Sequence, residues 1–360
     1  MALRFWKTRF RHFRNLSVAR VSEVLGKKVY QISSGVLGFT SYGSLIYAVL
    51  IASILKCLVL MRGLNIGAIS FTRRTYLKLI AVALRYKKFP QFNVWSELLN
   101  RLPAVVISIF FVKYFGSDTL GFYGLSLMVL SLPSALVVGS IIEAFIPRAA
   151  VAKHSNRHAE LLEKVYVPLV GIAIFPFIIL GIFSDRLFPF VFGPEWLQAG
   201  IISQILVIRI FFEVIFSPSL ALIDIINRQE LNFIRSIVTS FNYAAACVVG
   251  VYFDNFYYTL WTLVLLESAL IIVMSGYMMH LVNFQFVLSM RRLLKPFMIS
   301  VLLTITLLLI RMSFDLNIIM LLLMIGISIL VYYTLLLFFD REIRGILIAY
   351  FPRIVGNNDN

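Results

Sequence analysis

Residues 204–218 read QILVIRIFFEVIFSP. Arg209 and Glu213 stand one helical turn apart in a run that is otherwise almost wholly apolar. A third ionisable group, Glu267, interrupts another such run, LWTLVLLESALII, and Lys56 and Arg101 are set in two more. Side chains of these types can do two kinds of work there. Arginine and glutamate at i,i+4 can pair and, with Glu267 nearby, lock neighbouring helices together. Alternatively the guanidinium can receive an anion, because its planar fork donates two parallel hydrogen bonds to a phosphate or carboxylate. The spacing leaves both readings open.

Other chemistry has less support. His154 and His158 in KHSNRH share one helical face, half of a metal site at most, with only Glu160 and Glu163 close by. There is no HExxH and no GxxxxGK[ST]. Cys57 and Cys247 both fall in apolar runs and read as small buried residues, not as ligands or half of a disulfide framework. No constellation asks for an enzyme, a metal or a cofactor.

The elements that hold these charges follow from the solvent. The chain has 360 residues, 60% hydrophobic and 14% charged, against roughly half apolar and a quarter charged for soluble domains. So few charges cannot cover so much apolar surface in water, and the solvent is largely lipid. A helix crossing about 30 Å of hydrocarbon needs roughly 20 apolar residues. Ten runs qualify, near 18–38, 41–61, 95–115, 119–146, 165–184, 200–226, 231–253, 257–281, 296–312 and 316–339, the first interrupted by Lys27 and Lys28. Pro103, Pro133, Pro168, Pro176 and Pro218 lie inside them and free backbone carbonyls that neighbouring helices or water must satisfy.

The formal charge of +16 is spread through loops and not gathered in a groove, which argues against a nucleic-acid partner. Arg4, Lys7, Arg9, Arg11, Arg14 and Arg20 open the chain, and Arg62, Arg73, Arg74, Lys78, Arg85, Lys87 and Lys88 follow two spans later. Further basic groups recur at every second loop: Arg148 to Lys164, Arg228 with Arg235, Arg291 to Lys295, and a tail with Arg341, Arg344 and Arg353. The intervening loops GFTS, FGSDT, SDRLFPFVFGPEW, DNF and RMSFD hold almost none. The positive-inside rule then makes both termini cytoplasmic. The basic, aromatic N-terminal arm reads as an amphipathic segment on an anionic leaflet, not as a cleaved signal. Trp95, Trp196 and Trp261 read as headgroup anchors.

Four stretches carry a family pattern. RYKKFPQF, with Tyr86, Phe89 and Pro90, precedes SELLNRLPAVV with Asn100 and Pro103. GFYGLSLMVLSLPSALV has Gly121, Tyr123, Leu132 and Pro133. VFGPEWLQAG has Phe192, Gly193, Trp196, Ala199 and Gly200, and SPSLALIDIINRQELNF has Pro218 before Arg228 and Gln229. In order and spacing, over about residues 80–235, these resemble the polysaccharide (Wzx-type) flippases of the multidrug/oligosaccharidyl-lipid/polysaccharide exporter superfamily.

The resemblance implies an all-α integral membrane fold of about ten transmembrane helices: a second six-helix lobe, part of a first lobe and two C-terminal helices. The expected division is 1–61 (basic arm and remnant of the first lobe), 62–93 (amphipathic cytoplasmic connector), 94–283 (second lobe), 284–340 (C-terminal pair) and 341–360 (tail). About four helices that open the family's first lobe are expected to be missing. The implied function is flipping of undecaprenyl-pyrophosphate-linked oligosaccharide repeat units, O-antigen or capsule precursors of lipopolysaccharide type, across the bacterial inner membrane by alternating access. Implied partners are that lipid-linked oligosaccharide, membrane lipids, and a polysaccharide polymerase or a second copy of the chain. A drug or cation antiporter of the same superfamily, a membrane enzyme of polysaccharide assembly, and an inactive truncated remnant are the alternatives.

Counted from Ile201, Arg209 lies about 12 Å and Glu213 about 18 Å down their helix, and Glu267 is about 15 Å deep in its own. All three are then near the middle of the hydrocarbon, where a charge must face protein or water. Under the resemblance, Arg209, Arg101 and Lys56 are candidate substrate-binding cations, the last two nearer the side where a lipid diphosphate enters. Glu213 and Glu267 are the candidate ion-coupling or structural pair. Glu97 one turn before Arg101 offers local neutralisation instead, and Lys56 can snorkel.

Overall fold

The computed structural model describes residues 13–38, 42–61, 94–152, 158–313 and 318–339, together with Tyr76. The N-terminal arm before Phe13, the connector around Tyr76, His154 and the tail lie outside the described residues. All regular structure among the described residues is helical, seven of the helical segments are long and apolar enough to cross a membrane, and the chain is an all-α, multi-pass membrane protein. It divides into two compact units, Met1–Arg85 and Tyr86–Asn360.

In the first unit α1 (Phe13–Val36) packs along α2 (Tyr42–Met61). The seam is made of small residues: Ala19, Ala48 and Ala52 are all but fully buried, and a Cβ at Gly26 would meet Leu55 Cδ1 at 2.8 Å. Small residues let backbones approach where lipid offers no hydrophobic drive for association. The run near 18–38 does form a helix, but Arg20, Glu23, Lys27 and Lys28 leave α1 too polar to rank with the apolar spans.

The second unit opens with a broken pass. α3 (Val94–Leu99) stops at Asn100 and Arg101, and α4 (Leu102–Phe110) continues into a π-helical turn, Phe111–Phe115. Then come α5 (Ser117–Ala152), α6 (His158–Phe192), α7 (Leu197–Ile225), α8 (Gln229–Tyr252) and α9 (Phe256–Leu281). α10 (Phe286–Ser313) and α11 (Ile318–Phe339) complete it. One apolar core joins α4 to α9 through residues such as Phe111, Leu130, Leu169, Leu206 and Leu263. A second, built on Phe175 and Phe183 of α6, takes in Leu307, Tyr332 and Leu336, so α10 and α11 are attached to α6.

The helix breaks have physical causes. A proline removes the hydrogen bond to the carbonyl four residues earlier, and three of those carbonyls find hydroxyl donors. Ser240 Oγ of α8 donates to Leu99 O, freed by Pro103, at 3.1 Å. Tyr333 Oη of α11 donates to Ile172 O, freed by Pro176, at 3.1 Å. Ser217 Oγ donates to Val214 O, freed by Pro218, at 2.7 Å. The turns after α7, α8 and α9 are alike: Asn227, Asp254 and Asn283 take φ of 59°, 46° and 55°. In each the following residue's N–H reaches back to Ile223 O, Gly250 O or Met279 O at 2.9, 3.0 and 2.9 Å, closing the helix end as a Schellman motif.

The Ala199–Gly200 pair noted in the sequence is a three-helix junction. Ser126 Oγ of α5 donates to Ala199 O at 2.7 Å, and a Cβ on Gly200 would lie 2.4 Å from Ser184 O of α6. Gly276, by contrast, has open space around it. Gly200→Ala is therefore expected to destabilise the detergent-solubilised protein by about 1–3 kcal/mol, seen as a thermal midpoint several degrees lower. Gly276→Ala should leave the midpoint unchanged or raise it.

Candidate functional site

Four helices of the second unit bring polar side chains to one level of the bundle. Arg209 is about 18 Å along α7 from Leu197 and about 24 Å from Ile225, and Glu267 is about 17 Å along α9 from Phe256. α8 supplies Thr239, Asn242 and Tyr243, the first and second three residues apart and so on one face. α5 supplies Tyr123.

Glu267 is buried, 5% exposed, and both of its oxygens are engaged by α8. Asn242 Nδ2 donates to Oε1 at 2.8 Å and Thr239 Oγ1 donates to Oε2 at 3.2 Å. These bonds tie α9 to α8 and orient the carboxylate, which without them would be an unpaired buried polar group.

Arg209 and Glu213 pair, Nη1 to Oε2 at 3.1 Å, but the bond stays within α7. The two ends are unequally covered: the Arg209 side chain is 14% exposed and that of Glu213 is 55% exposed. Arg209 Nε is buried and has no hydrogen-bond acceptor. Tyr123 and Tyr243 are both buried and interact electrostatically with each other. Tyr243, Glu213, Tyr123 and Glu267 all lie within electrostatic reach of the guanidinium. One cation thus faces two carboxylates and a tyrosine pair.

The energetics separate the members. A charge at the middle of a membrane helix costs about 2.5–3.5 kcal/mol on insertion scales and is favoured there only where protein or water faces it. Glu213 is more than half exposed while Arg209 is largely covered, so the glutamate is the member of the pair that the protein does not answer.

The other candidates are placed elsewhere. Lys56 belongs to the first unit, where its Nζ pairs with Glu23 Oε2 at 2.7 Å and ties α2 to α1. Arg101 is exposed at the break between α3 and α4, the stretch tied to α8 through Ser240. His158 begins α6, nearly buried, and no group of three His, Cys, Asp or Glu among the described residues is set to hold a metal ion. The partners Thr239, Asn242 and Tyr243 were not singled out from sequence. The one legible signal is a polar i,i+3 pair, Thr239 and Asn242, just ahead of the run AAACVV.

Residues 7–201 match the protein family described as Polysaccharide biosynthesis protein. Over 146 residues the chain is 27% identical to the teichuronic acid biosynthesis protein TuaB of Bacillus subtilis (strain 168). That match covers 40% of this chain and 30% of TuaB, so the chain spans about a third of the length of this relative. Among solved structures it is similar in fold to the lipid II flippase MurJ in an inward closed conformation, with a TM-score of 0.61 at 18% identity. The superposition covers 91% of this chain and 67% of MurJ. With more than half its length matched, and with the motifs around Tyr123 and Ala199–Gly200 inside the matched region, the chain belongs to the polysaccharide biosynthesis protein family.

Proposed function

We propose that the chain carries a lipid-linked saccharide precursor across the membrane, its head group passing through a polar interior while its polyprenyl tail stays in lipid. The observation that carries this reading is Arg209, a guanidinium near the middle of a membrane helix beside a half-exposed carboxylate. An arginine there suits an anionic head, because its fork matches phosphate oxygens. The family membership, the name of TuaB and the fold shared with a lipid II flippase support the same reading.

The cargo is an undecaprenyl-pyrophosphate-linked oligosaccharide repeat unit, moved from the inner to the outer leaflet of the cytoplasmic membrane. Both termini then face the cytoplasm, as the alternation of basic loops requires. Arg209 is the cation that meets the diphosphate, with Arg101 towards the entry side. Ion coupling falls to the carboxylates Glu213 and Glu267, a reading supported for Glu267 by the bonds from Asn242 and Thr239 that orient it. Residues 62–93 act as the cytoplasmic connector, 94–283 as one lobe and 284–340 as its C-terminal pair. The product in the outer leaflet is the substrate that a polysaccharide polymerase requires.

The test is a strain lacking the gene, re-expressing this chain, with surface polymer and the sidedness of lipid-linked repeat units measured together. Restored polymer and a cleared inner-leaflet pool are expected. Arg209→Ala is expected to abolish polymer at unchanged protein abundance. An inner-leaflet pool that does not respond to loss of the gene overturns the reading.

A further inference from the structure

Glu213 is the least covered of the deep charges of the second unit. It is the ionic partner of Arg209, yet it sits on the same helix and therefore joins nothing to anything. It is also the uncovered member of the pair, at 55% exposure against 14%. A carboxylate kept to neutralise a buried cation would be expected beneath it or across a helix interface, as Glu267 is held against α8. Glu213 instead is more than half exposed and does not seal the guanidinium in.

We propose that Glu213 is a built-in stand-in for the substrate's anionic head. In the empty site its carboxylate occupies the Nη1 donor of Arg209, and an oxygen of the arriving diphosphate takes that donor while Glu213 swings into the wetted interior. The inference rests on the reading of Arg209 as the cation that meets a lipid-linked diphosphate.

Three features fit this role. The contact is a single bond, Nη1 to Oε2 at 3.1 Å, not a two-point fork, so a bidentate phosphate is the stronger ligand. Nε is left without an acceptor, so the donor set is incomplete while Glu213 alone occupies it. Tyr243 of α8 and Tyr123 of α5, both buried, lie within electrostatic reach of the guanidinium from other helices, so part of its surroundings remains when Glu213 leaves.

The consequence is kinetic. A transporter must bind its cargo firmly enough to load it and weakly enough to let it go. A carboxylate tethered one turn away is a competitor at fixed, high local concentration, and it returns to Arg209 as the diphosphate departs. Glu213 therefore sets release and leaves capture to Arg209.

The experiment uses the purified full chain in detergent. Binding is measured for undecaprenyl diphosphate, with uncharged undecaprenol as the reference, and polymer output is measured in the complemented deletion strain. Glu213→Gln and, independently, Glu213→Ala should bind the diphosphate about two- to fivefold tighter than wild type, the scale expected on removing one competing exposed charge. They should bind undecaprenol unchanged and give less polymer. Arg209→Gln should lose the preference for the diphosphate. Unchanged or weaker diphosphate binding in both Glu213 variants, with monodisperse protein, overturns the stand-in. A wild-type chain that restores polymer but does not prefer the diphosphate also overturns it and leaves the flippase reading standing. Failure of the wild-type chain to move repeat units sinks both.

Discussion

In hydrocarbon there is no water to complete a hydrogen bond, so every backbone group and every charge inside the membrane must be answered by the protein itself. Much of the second unit can be read as a set of such answers. The carbonyls freed by Pro103, Pro176 and Pro218 meet Ser240, Tyr333 and Ser217. Two of those donors come from other helices, so the bends also decide which helices lie together: α3 against α8, and α6 against α11. Pro176 and Tyr333 give α11 a polar reason to sit on α6, beyond the apolar contacts of Phe175 and Tyr332.

The same constraint sorts the charges. Glu267 is answered on both oxygens by Asn242 and Thr239, which makes it part of the scaffold between α8 and α9. Glu23 and Lys56 answer each other across α1 and α2. Arg209 and Glu213 are different, because their bond answers only one donor of the arginine and leaves most of the glutamate uncovered. That incompleteness distinguishes a site from a strut. A buried arginine with a donor left unanswered and a half-exposed carboxylate beside it is the kind of group an anionic cargo can engage.

The sequence made the solvent, the helices and the deep charges legible, because these depend on local composition. A run of apolar residues must become a helix in lipid, and Arg209, Glu213 and Glu267 stand out against such runs whatever the tertiary fold. The partners were not legible. Thr239, Asn242 and Tyr243 are ordinary on α8 until α9 and α7 are laid beside it, and Tyr123 enters through α5, more than eighty residues earlier than Arg209. Lys56 resembled Arg209 in sequence, and only the packing of α1 against α2 reveals that Glu23 meets it. Likewise the length of α1 matched a span while its five charges set it apart.

The central claim is that the face of α7 bearing Glu213 is wet at mid-membrane depth. Its most direct test replaces Cys57 and Cys247, introduces Glu213→Cys or, as a lipid-facing comparison, Val273→Cys on the exposed apolar side of α9, and exposes native membranes to a charged, membrane-impermeant thiosulfonate. The account predicts fast modification at position 213 and little at 273. Equal silence at both positions would put Glu213 against lipid and contradict the existence of a polar interior at Arg209.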